Sequence, residues 1–251
     1  MSNIRIVTPI VSGGFRNDAP LRGTLPSDCE LSQTFLRNGP ESVESAVDEV
    51  LAGPGVIDAA LTAESDGIDA IVIDCMLDPA LDAAREAVSI PVVGCGEAGL
   101  EAAASMGPFS VVTVLQRQER AFRGLASRYG FAETLVSVRG IGIPVLELEK
   151  NREASLAATV AECRAAIDED GANAIVFGCT GMLGLARDAA DGLGIDPARV
   201  VDPLPHSLKV AHEEVARGGA VDKSLYPEPE SKRITGFTGW PTLFEWMARG
   251  S

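Results

Sequence analysis

Residues 64–75 read ESDGIDAIVIDC, and residues 168–179 read DEDGANAIVFGC. Set side by side without a gap, six of the twelve positions are identical, and both copies end in cysteine. Each copy reads as a helix end, a glycine stop, a short apolar strand and a thiol on the loop that follows. Four or five continuous apolar residues bounded by such signals suit a strand buried on both faces, as in a parallel sheet covered by helices. Two such units facing each other would set Cys75 and Cys179 on opposite sides of one cleft. That arrangement could take a proton from one face of a carbon and return it to the other.

The same grammar extends in both directions. Ile4–Thr8 reads as an opening strand with a loop at Pro9–Gly14, and Asp28–Leu36 as a second strand with Cys29 and Leu31 on one face. Glu41–Ala52 and Val56–Ser65 are predicted as two helices parted at Gly53-Pro54-Gly55. Ala70–Asp74 is the strand before Cys75. Asp78-Pro79 then reads as the cap and first turn of a helix reaching about Val88. Pro91–Gly94 is a strand, with a helix near Glu97–Ser105.

The pattern restarts at Phe109–Leu115. It continues with a helix over Gln116–Tyr129, a strand over Thr134–Val138, a helix over Ala154–Glu169, a strand over Ala174–Gly178, the strand Arg199–Asp202 and a helix over Pro205–Arg217. A short helix is predicted near Thr242–Ala248. Strands alternating with helices imply parallel βαβ units. The restart implies two pseudosymmetric flavodoxin-like α/β lobes, residues 1–104 plus 205–251 and residues 105–204. Ligands of open parallel sheets bind beyond the carboxyl ends of the strands. The loops after Thr8, Asp74, Gly94, Val114, Gly178 and Asp202 should therefore line a cleft between the lobes.

Charge and composition narrow the function. With 36 acidic against 21 basic residues the net charge is −15, which argues against nucleic acid or an anionic membrane as partner. The opening MSNIRIVTPIV lacks a secretory pattern and no apolar run is long enough to span a membrane, so a cytoplasmic location is the expectation. Five cysteines are then expected as thiols rather than disulfides. Without a CxxC pair, and with only two histidines, no metal site is expected. Cys163 falls at helical spacing with Leu156, Val160 and Ile167 and reads as core, as does Cys29. For Cys95, packing outweighs a place at the site's edge. Cys75 and Cys179 each precede a predicted helix start, where backbone N–H groups favour an anion and would bring a thiol toward neutrality.

In these residues the chain resembles the aspartate/glutamate/hydantoin racemase superfamily, most closely its hydantoin and allantoin racemase branch. The matching stretches are GPESVESAVDE at 39–49, DGIDAIVIDCMLDPALDAARE at 66–86, IPVVGCGEA at 90–98, FSVVT at 109–113, AIVFGCTGM at 174–182 and RVVDP at 199–203. The resemblance implies a racemase without a cofactor, in which Cys75 and Cys179 exchange the roles of base and acid. It implies ligand contacts from Met76 and Leu77 after the first cysteine, from Thr180 and Gly181 after the second, and from Thr113. The first-strand loop of the family reads NPNTS. Here it is Thr8-Pro9-Ile10-Val11-Ser12, so only Pro9 and Ser12 carry over. The family is often oligomeric, and a homo-oligomer acting on a small molecule is expected.

The implied substrate is a hydantoin such as a 5-substituted hydantoin or allantoin, whose ring eases carbanion formation. Hydantoin racemases tend to read Ala-Cys-Phe-Gly-Asp where this chain has Asp74-Cys75-Met76-Leu77-Asp78. An Asp74 carboxylate facing the cleft would repel a dicarboxylate and raise the Cys75 pKa; strand alternation would equally turn it away. Maleate isomerases, arylmalonate decarboxylases and Asp or Glu racemases resemble the chain in fold. Both thiols argue against a decarboxylase. A dicarboxylate substrate would want cations, for which Arg16 and Arg117 are the candidates. A two-lobed protein that binds a ligand without turnover is the reading from outside the enzymes.

Overall fold

The computed structural model describes residues 2–21, 23–230, 239, 240 and 242. It holds two four-stranded sheets, every pairing of which is parallel. The first contains β1 (Ser2–Thr8), β2 (Cys29–Phe35), β3 (Ala70–Ile73) and β4 (Val92–Gly94) in the order β2-β1-β3-β4. The second contains β5 (Phe109–Thr113), β6 (Leu135–Gly140), β7 (Ala174–Phe177) and β8 (Val200–Val201) in the order β6-β5-β7-β8. The two orders are the same, and the two cysteine-bearing strands β3 and β7 hold equivalent places. That is the structural form of the repeat in sequence.

Among the described residues seven α-helices connect and cover the strands: α1 (Ala46–Ser65), α2 (Leu81–Ala87), α3 (Cys95–Ala104), α4 (Glu119–Arg128), α5 (Arg152–Asp168), α6 (Ala186–Leu193) and α7 (Pro203–Ala216). The central strands β3, β5 and β7 are buried at every position. Helix α7 leaves the second sheet and packs on β3, β1 and α3 of the first, while α3 also packs on β7. One hydrophobic core consequently runs from the first sheet into the second, with a smaller cluster around Phe177, Met182 and Cys163. Cys163 is fully buried on α5, as its spacing predicts. Among the described residues no helix is long and apolar enough to cross a membrane.

Three local expectations are corrected. The predicted helices 41–52 and 56–65 are one helix, α1, which starts later, at Ala46, and runs through Pro54. Ser45 caps it: its hydroxyl accepts the Asp48 N–H at 3.3 Å, while the Asp48 carboxylate accepts the Glu44 N–H at 3.1 Å. Proline removes one helical hydrogen bond, but the carbonyl it frees belongs to Val50, which is 74% exposed and can bond water. Gly55 packs so closely on the preceding loop that a Cβ would lie 2.9 Å from Asn38 O. The helix predicted to open at Asp78 starts instead at Leu81, because Asp78 and Ala80 have φ of 47° and 56°. The run after Cys179 is a single 3-10 turn, Thr180–Met182, with α6 four residues further on. The helix predicted over 242–248 lies almost wholly outside the described residues.

Candidate active site

The Cys75 loop is locked by a carboxylate that faces away from its own helix. Cys75 N–H bonds Ile73 O at 3.0 Å and Asp78 N–H bonds Cys75 O at 3.1 Å, which folds residues 75–78 into a tight turn. The left-handed backbone at Asp78 sends its side chain across to α3. There the carboxylate accepts the N–H groups of Gly96 at 2.8 Å and Glu97 at 2.7 Å, and the Tyr129 hydroxyl at 2.8 Å. Asp78 is thus a cap for α3 rather than for α2. Gly94 and Gly96 make the approach possible: a Cβ on the first would stand 2.5 Å from Asp78 Oδ1, and on the second 2.4 Å from Met76 O. Tyr129 follows α4 of the second lobe, so the same carboxylate ties the two lobes together.

The Cys179 loop is held differently. Gly178 N–H bonds Val112 O at 2.7 Å, and a Cβ at Gly178 would lie 2.5 Å from Thr113 Cβ. The Gly181 N–H donates to Cys179 Sγ at 3.3 Å. Phe15 and Leu148 close over Gly181.

Between the loops runs a buried polar seam. Arg16 Nη1 donates to Asp74 Oδ1 at 2.9 Å and is 2.8 Å from Oδ2, while Nε donates to Asp18 at 2.6 Å. The Thr8 hydroxyl donates to Asp74 Oδ2 at 2.8 Å, and the Thr180 hydroxyl donates to Asp74 O at 3.3 Å. The Arg16 side chain is 1% exposed and that of Asp74 is fully buried. The question left open by strand alternation is thereby answered: the Asp74 carboxylate turns to Arg16 and Thr8 of its own lobe. Removing either partner of such an ion pair leaves an uncompensated buried charge.

The electrostatics overturn one expectation. Both thiols are shifted up, not toward neutrality. Burial raises Cys75 well above the ordinary thiol range, and Cys179, Asp78 and Asp74 add to the rise. Burial pushes Cys179 up to about 12, against the lowering influence of the Gly181 N–H and of Arg16. One N–H on a single 3-10 turn does not offset desolvation. Asp74 raises both thiols, and Cys179 also raises Cys75.

The other residues singled out in the sequence divide by environment. Met76, Leu77, Thr180 and Gly181 flank the thiols and are buried. Pro9 is buried and Ser12 half-buried on the loop after β1. Thr113 is fully buried and its hydroxyl lies between Gln118 Oε1 at 2.8 Å and Gly178 O at 3.2 Å, bracing the Cys179 strand. Cys95 opens α3 and is fully buried. A cavity of about 550 Å³ lies between α1 and α4 and reaches Leu77, two residues from Cys75, with Arg117 on its wall. Residues that sequence reasoning missed are Tyr129 and Phe15, which carried no signal; the loop after Asp202 is expected at the site, but without a role for the Asp202 side chain.

Comparison with known proteins identifies the family and the fold. The sequence profile of the Asp/Glu/Hydantoin racemase family matches residues 20–210. A hydantoin racemase from Pseudomonas sp. (strain NS671) is 36% identical over 212 residues, which cover 84% of each chain. A hydantoin racemase from Rhizobium meliloti is 35% identical over 199 residues, 78% of this chain and 81% of the relative. The solved structure of allantoin racemase from Klebsiella pneumoniae superposes with a TM-score of 0.88 at 32% identity, over 94% of this chain and 97% of that one.

Proposed function

This chain belongs to the Asp/Glu/hydantoin racemase family, and on that premise we propose that it racemises hydantoin-type substrates by proton transfer between two cysteines. One of Cys75 and Cys179, as thiolate, takes the proton from C5 of the ring. The negative charge spreads onto the adjacent C4 oxygen as an enolate. The opposite thiol gives its proton to the other face of C5 and becomes the thiolate, and the two roles exchange for the other enantiomer. The observation that carries the reading is the placement of the thiols on equivalent loops of two sheets, held at one seam by Asp74, Arg16 and Thr180.

The charge balance supports a neutral ring over a dicarboxylate. Arg16 is the cation whose field reaches Cys179, and it is already matched by Asp74 and Asp18. A dicarboxylate such as aspartate, glutamate or maleate would add two negative charges beside Asp74 and Asp78, where Arg16 is already matched. Hydantoins also suit half-buried, weakly acidic thiols, because the ring carbonyl lowers the cost of the carbanion.

The test is proton exchange in D₂O. Single enantiomers of 5-substituted hydantoins and of allantoin are incubated with wild type, Cys75→Ala and Cys179→Ala, following C5 deuteration by NMR and optical rotation. Exchange with loss of rotation in wild type, and loss of racemisation in both variants, is expected. Racemisation that persists in either variant would refute the two-thiol mechanism, and absence of exchange with every hydantoin would refute the substrate class.

A further inference from the structure

Two buried polar atoms along the Arg16–Asp74 seam lack a partner among the described residues, and they are of opposite kind. Arg16 Nη2, a donor, and Asp202 Oδ1, an acceptor, are both closed off from solvent and have no hydrogen-bond partner of good geometry among the described residues, although the Leu204 N–H lies close enough to the Asp202 carboxyl to draw it down. The rest of each side chain is occupied. Arg16 gives Nε to Asp18 and Nη1 to Asp74, and Asp202 Oδ2 accepts the Gly184 N–H at 2.7 Å. They come from opposite lobes, Arg16 from the loop after β1 and Asp202 from the end of β8. The two segments meet: Pro20, on the Arg16 loop, lies against Gly184, where a Cβ would stand 2.8 Å from Pro20 Cγ, and the Gly184 N–H is the one that bonds Asp202, while Arg16 Nη1 also reaches Thr180 O at 3.5 Å; Arg16 accordingly draws the Asp202 carboxyl down while burial and Asp74 push it up. Leaving a buried donor and a buried acceptor unmatched is costly, so such groups mark where a missing partner belongs.

We propose that Arg16 and Asp202 together read one amide edge of the substrate ring, Arg16 Nη2 donating to the C4 carbonyl oxygen and Asp202 Oδ1 accepting from N3–H. The inference rests on the hydantoin reading above and adds the residues that recognise the ring. A hydantoin presents N3–H and C4=O side by side, a donor beside an acceptor, which is the complement of the orphaned pair. The assignment to C4 follows from the chemistry. When a thiolate removes the C5 proton, charge accumulates on O4, and an arginine N–H aimed there meets it in an enclosure of low dielectric. A ligand without the edge would leave both protein atoms unmatched, and this is the form of discrimination that polar sites achieve best. The same logic admits other cyclic amides with a C–H beside the carbonyl and excludes free amino acids and dicarboxylates.

The probes are hydantoin, 1-methylhydantoin and 3-methylhydantoin, which are achiral, so binding is measured by calorimetry without net reaction and C5–H exchange by NMR. In wild type, 3-methylhydantoin is expected to bind at least tenfold more weakly than 1-methylhydantoin. In Asp202→Asn, which puts an amide donor in place of the acceptor, hydantoin and 1-methylhydantoin should weaken at least tenfold and the gap to 3-methylhydantoin should close to under threefold. Arg16→Lys keeps a charge for Asp74 but replaces the guanidinium fork with a single nitrogen that cannot reach both Asp74 and the ring, and should slow C5–H exchange more than it weakens binding. Circular dichroism melts check that each variant is folded. Should an Arg16 variant fail to fold, the Asp202 variant and the wild-type probe series decide. Equal binding of the two methylated rings to wild type, with hydantoin exchange intact, would overturn this inference and leave the racemase reading standing. Neither binding nor exchange of any hydantoin would overturn both.

Discussion

Alkylation kinetics at Cys179 offer a direct reading of the electrostatics. Burial lifts this thiol to about 12. At pH 7.5 about 3 in 100,000 such groups are ionised, against about one in ten for a free thiol with a pKa of about 8.5. A more basic thiolate is a better nucleophile, and with a Brønsted slope of about 0.45 that returns a factor of about 40. Iodoacetamide should therefore modify Cys179 about 100-fold more slowly than free cysteine at pH 7.5. The sign of the pH dependence follows from the same shift. Because the folded thiol titrates far above neutrality, its rate should climb about tenfold per pH unit from 7.5 to 10.5, whereas free cysteine levels off once it is ionised, above about pH 9. The assay is timed quenching followed by peptide mass spectrometry, which separates Cys179 from the other four thiols. The exchange of C5–H in hydantoin should rise over the same alkaline range if one thiolate is the base. A plateau in Cys179 modification at or below pH 9, or a rate at neutral pH equal to that of free cysteine, would refute the argument that burial outweighs the Gly181 N–H and Arg16.

Two substitutions test the supports of the Cys75 loop. Tyr129→Phe removes a 2.8 Å hydrogen bond to the buried Asp78 carboxylate and should lower the urea-unfolding free energy by about 1.5–3 kcal/mol; a change under about 0.5 kcal/mol would show that the lobes do not depend on this tie. Gly96→Ala places a Cβ 2.4 Å from Met76 O, and should cost about 1–3 kcal/mol of stability through overpacking together with most of the racemase activity, because the displaced carbonyl belongs to the residue after Cys75. Wild-type melting temperature and turnover in that variant would refute the close approach.

How much of this was legible in the sequence depends on how far apart the interacting residues lie. The βαβ alternation was readable because each strand carries its own apolar run and its own glycine stop, and the repeat at 64–75 and 168–179 marked the equivalent strands β3 and β7. Readings that needed a partner from elsewhere went differently. Asp78-Pro79 has the local form of a helix cap, but the cap it makes is for α3, 18 positions away, and it depends on Gly94 and Gly96 being without side chains. Pro54 has the local form of a helix break, yet α1 continues because the carbonyl that Pro54 frees belongs to the exposed Val50 and Gly55 is clamped by Asn38 and Leu36. The Arg16–Asp74 pair spans 58 positions, with no spacing to announce it.

The thiols show why motif and chemistry separate. A cysteine followed by a helix start predicts donors aimed at sulfur, and at Cys179 one such donor is present, the Gly181 N–H. The direction of the shift is set by a sum, and its largest member, desolvation, comes from the packing of both lobes over the loops. Asp74 enters that sum with the sign opposite to Arg16, although the two are bonded to each other. At Cys179 the pair's two charges oppose each other, at Cys75 Asp74 adds to the rise, and burial dominates at both, so the resting sulfurs are held as thiols. A site of that kind places the burden of charge stabilisation on what the ligand meets as it loses its proton, and there the unmatched Arg16 Nη2 is the donor held in reserve.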